Sequence, residues 1–413
     1  MMKGWSYMKT KRIITAACAF ALALSMAYAP LAETGIKSGF GITASAEDKK
    51  YGYLNYISDG TQIYITGLND FSTTVIQIPD TIEKLPVTTI EDYAFAKSKT
   101  GSQTNIRRVV LGKNVTGIGE RAFFAQSKLN SITVNDALKK VGDSAFRSTG
   151  LKEVDFKEGL TTLNASAFQD CVDLEKITIP STVTEIYEFC FSGCKSLKML
   201  DIQGNLTYLG AEVCTNDTAL TEVKIAGVAE VKQYSFKGCS SLVSVQLPDN
   251  LNRIYGEAFG GCTSLKTINL PEGLATVDAY VFTNCTSLLR LDVPKSLTSF
   301  GNMWYGYATT SSGSKINDAV MGVCRRSAAQ TYAMDKGFNY VYLDMVYGDI
   351  TNDGKVDSKD AMKSVAFAKK TVKAQYVDET DAADVNFDGK LDSKDALTII
   401  NAVKNKKPIQ VKN

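Results

Sequence analysis

The chain has 413 residues, a formal net charge of +2 and a charged fraction of 22%. A charge balance this close to neutral, without clusters of lysine and arginine, argues against a nucleic-acid-binding protein. The chain contains no histidine, which excludes histidine-based catalytic triads, zinc sites with histidine ligands and histidine general bases.

The N-terminal segment has the pattern of a secretory signal. An apolar run over residues 13–29 follows four basic residues, Lys3, Lys9, Lys11 and Arg12. Ala44-Ser45-Ala46 matches the small-x-small pattern that signal peptidase prefers, so we predict removal of residues 1–46, with Ala27-Tyr28-Ala29 as an earlier alternative cleavage site. No later segment reaches the roughly twenty apolar residues of a membrane span. We therefore expect a secreted, extracellular protein whose mature chain has no membrane span.

A repeat of 22 or 23 residues runs through the middle of the chain. Its clearest marker is a phenylalanine, found at Phe95, Phe123, Phe146, Phe168, Phe191, Phe236, Phe259 and Phe282, with Val213 in the vacant position. The spacing is stretched to 28 residues after Phe95. Six residues after most of these, a leucine opens a short strand, as in the segment from Leu174 to Ile179. One such unit cannot bury its own apolar face, so neighbouring units must stack and share a continuous core.

This pattern resembles the BspA-like class of leucine-rich repeats found on bacterial surfaces, over about Thr81 to Ser299. The resemblance implies an α/β solenoid. We expect about nine rungs at a strand spacing of about 4.8 Å, and hence a length on the order of 40 Å. Atypical segments at 51–86 and 319–343 are expected to cap the array. The solenoid with its caps should occupy residues 47–345.

Five cysteines form a column three residues after the repeat phenylalanine: Cys171, Cys194, Cys239, Cys262 and Cys285. In an exported protein such an array could form disulfides. Stacked parallel rungs, however, hold side chains in a geometry poorly suited to the disulfide dihedral angle. We predict buried free thiols that act as small apolar residues. Cys190, Cys214 and Cys324 lie off this column. The sequence does not decide whether one of them is an exposed free thiol.

The outward positions of the first strand in each repeat bear on what the solenoid can bind. Each of the nine predicted rungs has two such positions. None of these eighteen residues is aromatic, so stacking platforms for sugar rings are missing from this face. Charges of both signs alternate there, as at Glu222 and Lys224. Such a face suits a protein or cell-surface partner, or simply a solvated surface.

Two segments near the C-terminus, Asp349–Asp360 and Asp384–Asp395, share one twelve-residue spacing and start 35 residues apart. Calcium takes oxygen ligands at positions 1, 3, 5, 7, 9 and 12 of such a loop, with glycine at position 6. The pattern predicts two calcium ions. The first loop would bind through Asp349, Thr351, Asp353, the carbonyl of Lys355, Asp357 and Asp360. The second would bind through Asp384, Asn386, Asp388, the carbonyl of Lys390, Asp392 and Asp395.

The first calcium site is expected to be the weaker one, because the Thr351 hydroxyl is a poorer ligand than the Asn386 amide oxygen. Without metal, the carboxylates of each loop repel one another. We therefore expect a chelator to unfold the region after Tyr347 while the solenoid stays folded.

Each loop is followed by a helical pattern but is not preceded by one, and each ends in aspartate where an EF-hand has glutamate. A duplicated unit of loop and exiting helix, with the shared ending Asp-Ser-Lys-Asp-Ala, resembles the type I dockerin of anaerobic cellulolytic bacteria. We assign residues 346–413 to this small all-α, calcium-binding domain. The resemblance implies that it binds a cohesin module of a scaffoldin. It places the contact residues at loop positions 10 and 11, namely Ser358, Lys359, Ser393 and Lys394.

These features favour a secreted, non-catalytic binding or adhesion protein that docks through its dockerin onto a cellulosome-like complex. The alternative is a dockerin-borne polysaccharide-degrading enzyme subunit, or an inhibitor of an exported hydrolase. A glycosidase could work with two carboxylates. However, nearly every Asp and Glu before residue 345 lies in a repeat turn or on an outward strand position, which favours a protein that is not an enzyme.

Overall fold

The computed structural model describes residues 48–100, 105–202, 204–302, 304–308, 314–315, 319–344, 347–370, 379, 382–385, 390–406 and 409. The predicted signal peptide lies outside the described residues, as do Asn386 and Asp388 of the second loop. The described chain forms a β-solenoid of about eleven turns, followed by a C-terminal region with few helices. The predicted fold class is therefore confirmed.

The solenoid begins earlier than the repeat pattern suggests. Three antiparallel strands open it: β1 (Lys49–Tyr51), β2 (Leu54–Ser58) and β3 (Ile63–Leu68). Strand β3 then pairs in parallel with β6 (Leu85–Ile90), and β4 (Val75–Gln77) pairs in parallel with β7 (Arg108–Val110). The segment predicted as an entry cap thus contributes solenoid turns of its own, which explains why the array exceeds the nine predicted rungs. Strand β5 (Thr81–Ile82) folds back antiparallel on β6.

Each rung contributes one strand to each of two parallel ladders. The first ladder continues from β4 and β7 through β9 (Ser131–Thr133), β11 (Glu153–Asp155), β13 (Lys176–Thr178), β15 (Met199–Ile202), β17 (Glu222–Ile225), β19 (Ser244–Gln246), β21 (Thr267–Ile268) and β23 (Arg290–Asp292). The second continues from β6 through β8 (Gly117–Ile118), β10 (Lys140–Val141), β12 (Thr162–Leu163), β14 (Glu185–Ile186), β16 (Tyr208–Leu209), β18 (Glu230–Val231), β20 (Arg253–Ile254), β22 (Thr276–Val277) and β24 (Ser299–Phe300). In strand β13 of the first ladder the middle residue, Ile177, is buried and its two neighbours are exposed, as strand periodicity requires.

The repeat phenylalanines form the centre of the core. Rings from Phe95 to Phe191 stack rung on rung with centroids 5.2 to 6.0 Å apart. A second stack runs from Phe236 to Phe282 with centroids 5.4 Å apart. All of these side chains are fully buried. The column adds favourable ring contacts to a large buried apolar area, so it should contribute strongly to stability.

The gap between the two stacks is occupied by Cys214, so the assignment of Val213 to the phenylalanine column is wrong by one residue. The amide of each column phenylalanine donates to the carbonyl just before the next column residue, and Phe191 donates to Val213. Three residues later, the cysteine column holds Asp217. Both ladders are interrupted beside this rung, because β13 and β15 belong to different sheets, as do β16 and β18.

Asp217 is a buried carboxyl in an apolar column. Its Oδ1 accepts a hydrogen bond from the Cys194 amide at 2.8 Å, whereas its Oδ2 has no hydrogen-bond partner among the described residues. Burial raises the pKa of this carboxyl well above its ordinary value. Burial therefore favours the neutral, protonated form of the Asp217 carboxyl in the folded protein.

Replacing Asp217 with cysteine, the residue that this column prefers, is expected to stabilise the solenoid at pH 7 by about 1–3 kcal/mol. An unfolded aspartate titrates near a pKa of roughly 3.9. Because the folded carboxyl binds its proton more tightly, the wild type loses stability as the pH rises above that value. The advantage of Asp217→Cys should therefore shrink toward pH 4. Urea unfolding at both pH values checks this, and equal stabilities of the two proteins at pH 7 would contradict it.

The C-terminal end of the solenoid is closed by two sets of paired strands and a helix. Strand β25 (Tyr307–Ala308) pairs antiparallel with β26 (Ser314–Lys315), and β27 (Val320–Val323) pairs in parallel with β23 and with β28 (Asn339–Tyr342). Helix α2 (Ala328–Lys336) starts at the N-cap Ser327 and ends at Gly337, whose φ of 64° places it in the left-handed region that favours glycine. The segment at 319–343, predicted as a cap, thus contains two strands and a helix. A short helix α1 (Lys97–Thr100) lies near the start of the array.

The C-terminal region has two longer helices and a core of its own. Helix α3 (Ser358–Ala368) follows the first loop and α4 (Ser393–Asn405) follows the second. A small cluster of buried residues holds them together: Ile350, Phe367, Ala383, Val385 and Ile399. None of the helices in the described parts of the chain has the length and hydropathy that a bilayer-spanning helix requires.

Candidate metal centre and docking surface

The first loop brings three carboxylates into one compact cluster. Oxygen atoms of Asp349, Asp353 and Asp360 all lie within 4.8 Å of one another. Asp349 and Asp360 are fully buried, and the Thr351 Oγ1 is buried without a hydrogen-bond partner. A buried polar atom without a partner beside three oxygen ligands is the environment that a hard cation satisfies. The first loop therefore fits calcium.

Gly354 makes the sharp bend of this loop possible. Its φ is 83°, in the left-handed region where a residue with a Cβ is strained. The sequence places Lys355 and Asp357 at loop positions 7 and 9. Lys355 is exposed, and its amide donates to Asp353 Oδ1 at 3.1 Å. Asp357 lies outside the compact cluster of three carboxylates.

Asp357 begins helix α3 rather than lying among the clustered carboxylates. Its Oδ1 accepts from the Lys359 amide at 2.8 Å, and Asp360 Oδ2 accepts from the Asp357 amide at 2.9 Å. This reciprocal pair is a capping box. Asp360 Oδ1 also accepts from the Thr351 amide at 2.8 Å. One carboxylate thus joins the loop to the first turn of its helix.

The second loop repeats this arrangement. Asp392 caps α4 by accepting from the Lys394 amide at 2.7 Å, and Asp395 accepts from the Asp392 amide at 3.1 Å. Asp395 also accepts from the Val385 amide at 3.1 Å. Asp384 is half-buried and Lys390 is exposed. The two loops therefore share the same link between position 12 and the following helix.

The four residues predicted to contact a partner are all exposed: Ser358, Lys359, Ser393 and Lys394. The second pair borders a groove of about 440 Å³, which is also lined by Val365, Ala368, Lys369, Ala396, Leu397 and Ile400. Val365 on α3 and Ile400 on α4 thus both line this open groove.

Sequence reasoning missed two exposed apolar side chains on the same helices. Met362 is 67% exposed and Leu397 is 58% exposed. Each lies two residues after the last aspartate of its loop, so the two occupy equivalent positions in the two halves. That equivalence was the signal that could have revealed them. An exposed large apolar residue repeated beside each Ser-Lys pair is typical of a contact surface.

The outward face of the first ladder carries charges that pair with one another. Lys224 lies 3.1 Å from Glu222, and Arg290 lies 2.8 Å from Asp292 on the same strand. A groove of about 510 Å³ opens where β13 and β15 separate. Met199, which lines the groove, is 46% exposed. This face thus combines mixed charge with one apolar site at the interruption of the ladder.

Aromatic residues lie instead beside the second ladder, which sequence reasoning did not consider as a surface. A groove of about 460 Å³ there is lined in part by Tyr255, Tyr280 and Phe300. The Lys232 ammonium lies 4.9 Å from the Tyr255 ring centre and the Arg253 guanidinium lies 4.3 Å from it. The Tyr255 ring therefore makes cation–π contacts with two side chains of the protein itself.

The column cysteines are buried, and each thiol donates to a carbonyl of the preceding rung at 3.0 to 3.2 Å. Burial raises the pKa of the Cys171 thiol to about 11. Because the thiolate is the reactive form, the Cys171 thiol is a poor nucleophile at neutral pH. Cys190 and Cys214 are also buried, whereas Cys324 is partly exposed.

The repeats and the C-terminal loops each match a known family. Six copies of the BspA type leucine rich repeat region match residues 61–125, 116–243 and 213–320. The chain belongs to the BspA-type leucine-rich repeat family. The dockerin type I domain matches residues 347–404, which contain both loops and their helices. No curated protein matches the chain.

Several solved structures similar to this BspA-type protein are bacterial leucine-rich repeat proteins. The T. pallidum leucine rich repeat protein TpLRR is 24% identical, covers 53% of this chain and 91% of its own, and has a TM-score of 0.40. A leucine rich cell surface protein from Faecalibacterium prausnitzii is 20% identical, with coverages of 72% and 95% and a TM-score of 0.39. The pneumococcal vaccine antigen PcpA is 15% identical, with coverages of 73% and 99% and a TM-score of 0.44.

The two families define the general class of the protein. Leucine-rich repeats and dockerins are non-catalytic interaction modules. Type I dockerins bind calcium, and a dockerin implies a cohesin partner. Both domains are typical of extracellular proteins.

Proposed function

We propose that this BspA-type protein is a secreted, non-catalytic adaptor. Its dockerin, residues 346–413, would dock onto a cohesin-bearing scaffoldin in a cellulosome-like complex. Its solenoid, residues 47–345, would bind a protein or cell-surface partner and so bring that partner to the complex. The observation that carries the docking role is the repetition, in both halves, of an exposed Ser-Lys pair beside an exposed apolar residue.

Two calcium ions would bind the dockerin. In the first loop the ligands would be Asp349, Thr351, Asp353, the carbonyl of Lys355, Asp357 and Asp360; in the second they would be Asp384, Asn386, Asp388, the carbonyl of Lys390, Asp392 and Asp395. Each ion supplies positive charge that offsets the repulsion among the loop carboxylates. Asp360 and Asp395 position the first turns of α3 and α4 through their hydrogen bonds. The loops would thereby hold Ser358, Lys359, Ser393 and Lys394 in the geometry that the partner contacts.

The duplication predicts that cohesin can engage either half. Replacing Ser358 and Lys359 with alanine, or Ser393 and Lys394 with alanine, should weaken cohesin binding by less than about tenfold, because the unchanged half remains available. Replacing all four residues should weaken it by about 100-fold or more, since no intact contact surface remains. Calorimetric titration of the full mature chain with a panel of cohesin modules in calcium measures both effects.

The matched control is the double change of Lys195 and Ser196 to alanine on a solenoid turn, which should leave cohesin binding unchanged. If the fourfold variant binds as tightly as the wild type, these residues do not form the docking surface.

A related experiment tests the solenoid. With the protein held on immobilised cohesin, Arg108→Ala and Lys224→Ala should reduce the capture of bacterial cells, and unchanged capture would indicate a spacer instead of an adhesin.

A further inference from the structure

The solenoid cap contacts the first calcium loop directly. Arg325 lies between β27 and α2, and its side chain is 3% exposed. Its Nη2 lies 3.2 Å from Asp349 Oδ2, and its Nη1 donates to the Asp349 carbonyl at 3.0 Å. Nη2 also donates to the Asp344 carbonyl at 3.2 Å. A single guanidinium thus spans the end of the solenoid and position 1 of the loop.

A second ion-pair network joins the same two regions. Glu379 is 3% exposed, and its Oε1 lies 3.5 Å from Arg326 Nη2 in the cap and 2.8 Å from Lys363 Nζ on α3. Buried carboxylates need this kind of pairing because burying an unpaired charge is strongly unfavourable. The contact between the solenoid and the C-terminal region is therefore charged, largely desolvated and specific.

The contacts of Asp349 divide between its two carboxylate oxygens. Oδ2 accepts from the Gly354 amide at 3.0 Å as well as from Arg325. Oδ1 accepts from the Asp353 amide at 3.1 Å and receives no hydrogen bond from Arg325. The guanidinium therefore fixes the orientation of the carboxylate through one oxygen and leaves the other able to face a cation. Partners of this kind orient metal ligands, and losing one typically weakens metal binding by about 10–100-fold.

We propose that Arg325 is a positioning residue of the first calcium site, contributed by the solenoid. It holds the Asp349 carboxylate in its ligating orientation, so that calcium in the first loop strengthens the attachment of the dockerin to the solenoid cap. This inference rests on the proposed calcium binding of the first loop.

Calcium titration of the full chain by calorimetry tests the proposal. The wild type should bind two ions. Arg325→Met keeps an unbranched side chain but loses the charge and the donors, and it should weaken one site by about 10–100-fold while the other is unchanged. Arg325→Lys keeps the charge without the forked donor, so it should show a smaller loss. Arg290→Met, which removes an exposed arginine of the solenoid, should bind calcium as the wild type does.

The outcomes separate this inference from the function on which it rests. Two sites of unchanged affinity in both Arg325 variants would overturn the role of Arg325 and leave the calcium-binding function intact. A wild type that binds no calcium would overturn the proposed function itself. If Arg325→Met does not fold, the lysine variant decides, and unchanged affinities in that folded variant would overturn the proposal.

Small-angle scattering gives a second measurement that does not depend on calorimetry. In calcium, the wild type should show a narrow distribution of interatomic distances, because the solenoid and the dockerin are held together. Arg325→Met should show a broader distribution with a larger maximum distance. Identical distributions for the two proteins in calcium would show that Arg325 does not hold the domains together.

Discussion

Replacing Phe259 with alanine is expected to lower the free energy of unfolding of the solenoid by about 3–5 kcal/mol. The Phe259 side chain is fully buried, and its ring stacks between Phe236 and Phe282 at 5.4 Å on each side. Alanine would remove both ring contacts and leave a cavity that neighbouring rungs cannot fill, because their backbones are fixed by the ladders. Urea unfolding followed by circular dichroism measures the loss.

Two variants calibrate this result. Phe259→Leu should cost less than Phe259→Ala, because leucine keeps much of the buried apolar area. Phe71→Ala should have little effect, since Phe71 is 42% exposed. An unfolding free energy for Phe259→Ala within about 1 kcal/mol of the wild-type value would mean that the column is not a main source of stability.

Replacing Asp360 with alanine is expected to abolish calcium binding at the first loop and to loosen the start of α3. The buried Asp360 carboxylate accepts from the Thr351 amide at 2.8 Å and from the Asp357 amide at 2.9 Å. Alanine would leave both amides without this acceptor, at a cost of about 1–3 kcal/mol for each one that stays buried. It would also remove the proposed ligand at position 12, so affinity at this site should fall by about 100-fold or more.

The equivalent change in the second loop provides a matched comparison. Asp395→Ala removes the acceptor of the Val385 and Asp392 amides, so it should abolish the other site and leave the first. Asp173→Ala on the solenoid surface should bind both ions. Calorimetric titration counts the ions in each variant. Two ions bound by Asp360→Ala would show that this residue is not a ligand of the first loop.

The solenoid was predictable from sequence because its repeat imposes one residue type on one environment. A phenylalanine every 22 or 23 residues must stack in a column, and the structure contains that column. The rung with Cys214 and Asp217 was assigned incorrectly because the phenylalanine is absent there and only backbone pairing fixes the register. The segment before Phe95 lacks the marker residues, so its sequence does not distinguish solenoid turns from a cap, although β3 and β4 pair in parallel with later strands.

Only part of the candidate site was predictable from sequence. The positions of the loop residues follow from spacing within one short segment, so the cluster of Asp349, Asp353 and Asp360 was predictable. The contact of Arg325 with Asp349 was not, because it joins two domains and depends on how the cap packs against the loop. Sequence reasoning therefore predicted that the domains respond independently to a chelator. The buried pairs at Asp349 and Glu379 indicate a link between them.

Calorimetric titration of the full mature chain with cohesin modules, first in calcium and then in chelator, tests the proposed docking most directly. The adaptor function predicts tight binding to at least one cohesin in calcium. It also predicts a loss of about 100-fold or more when calcium is removed, because the loops hold the contact residues only when the ions are bound. Equal affinity with and without calcium, or binding to no cohesin in calcium, would contradict a calcium-dependent docking function.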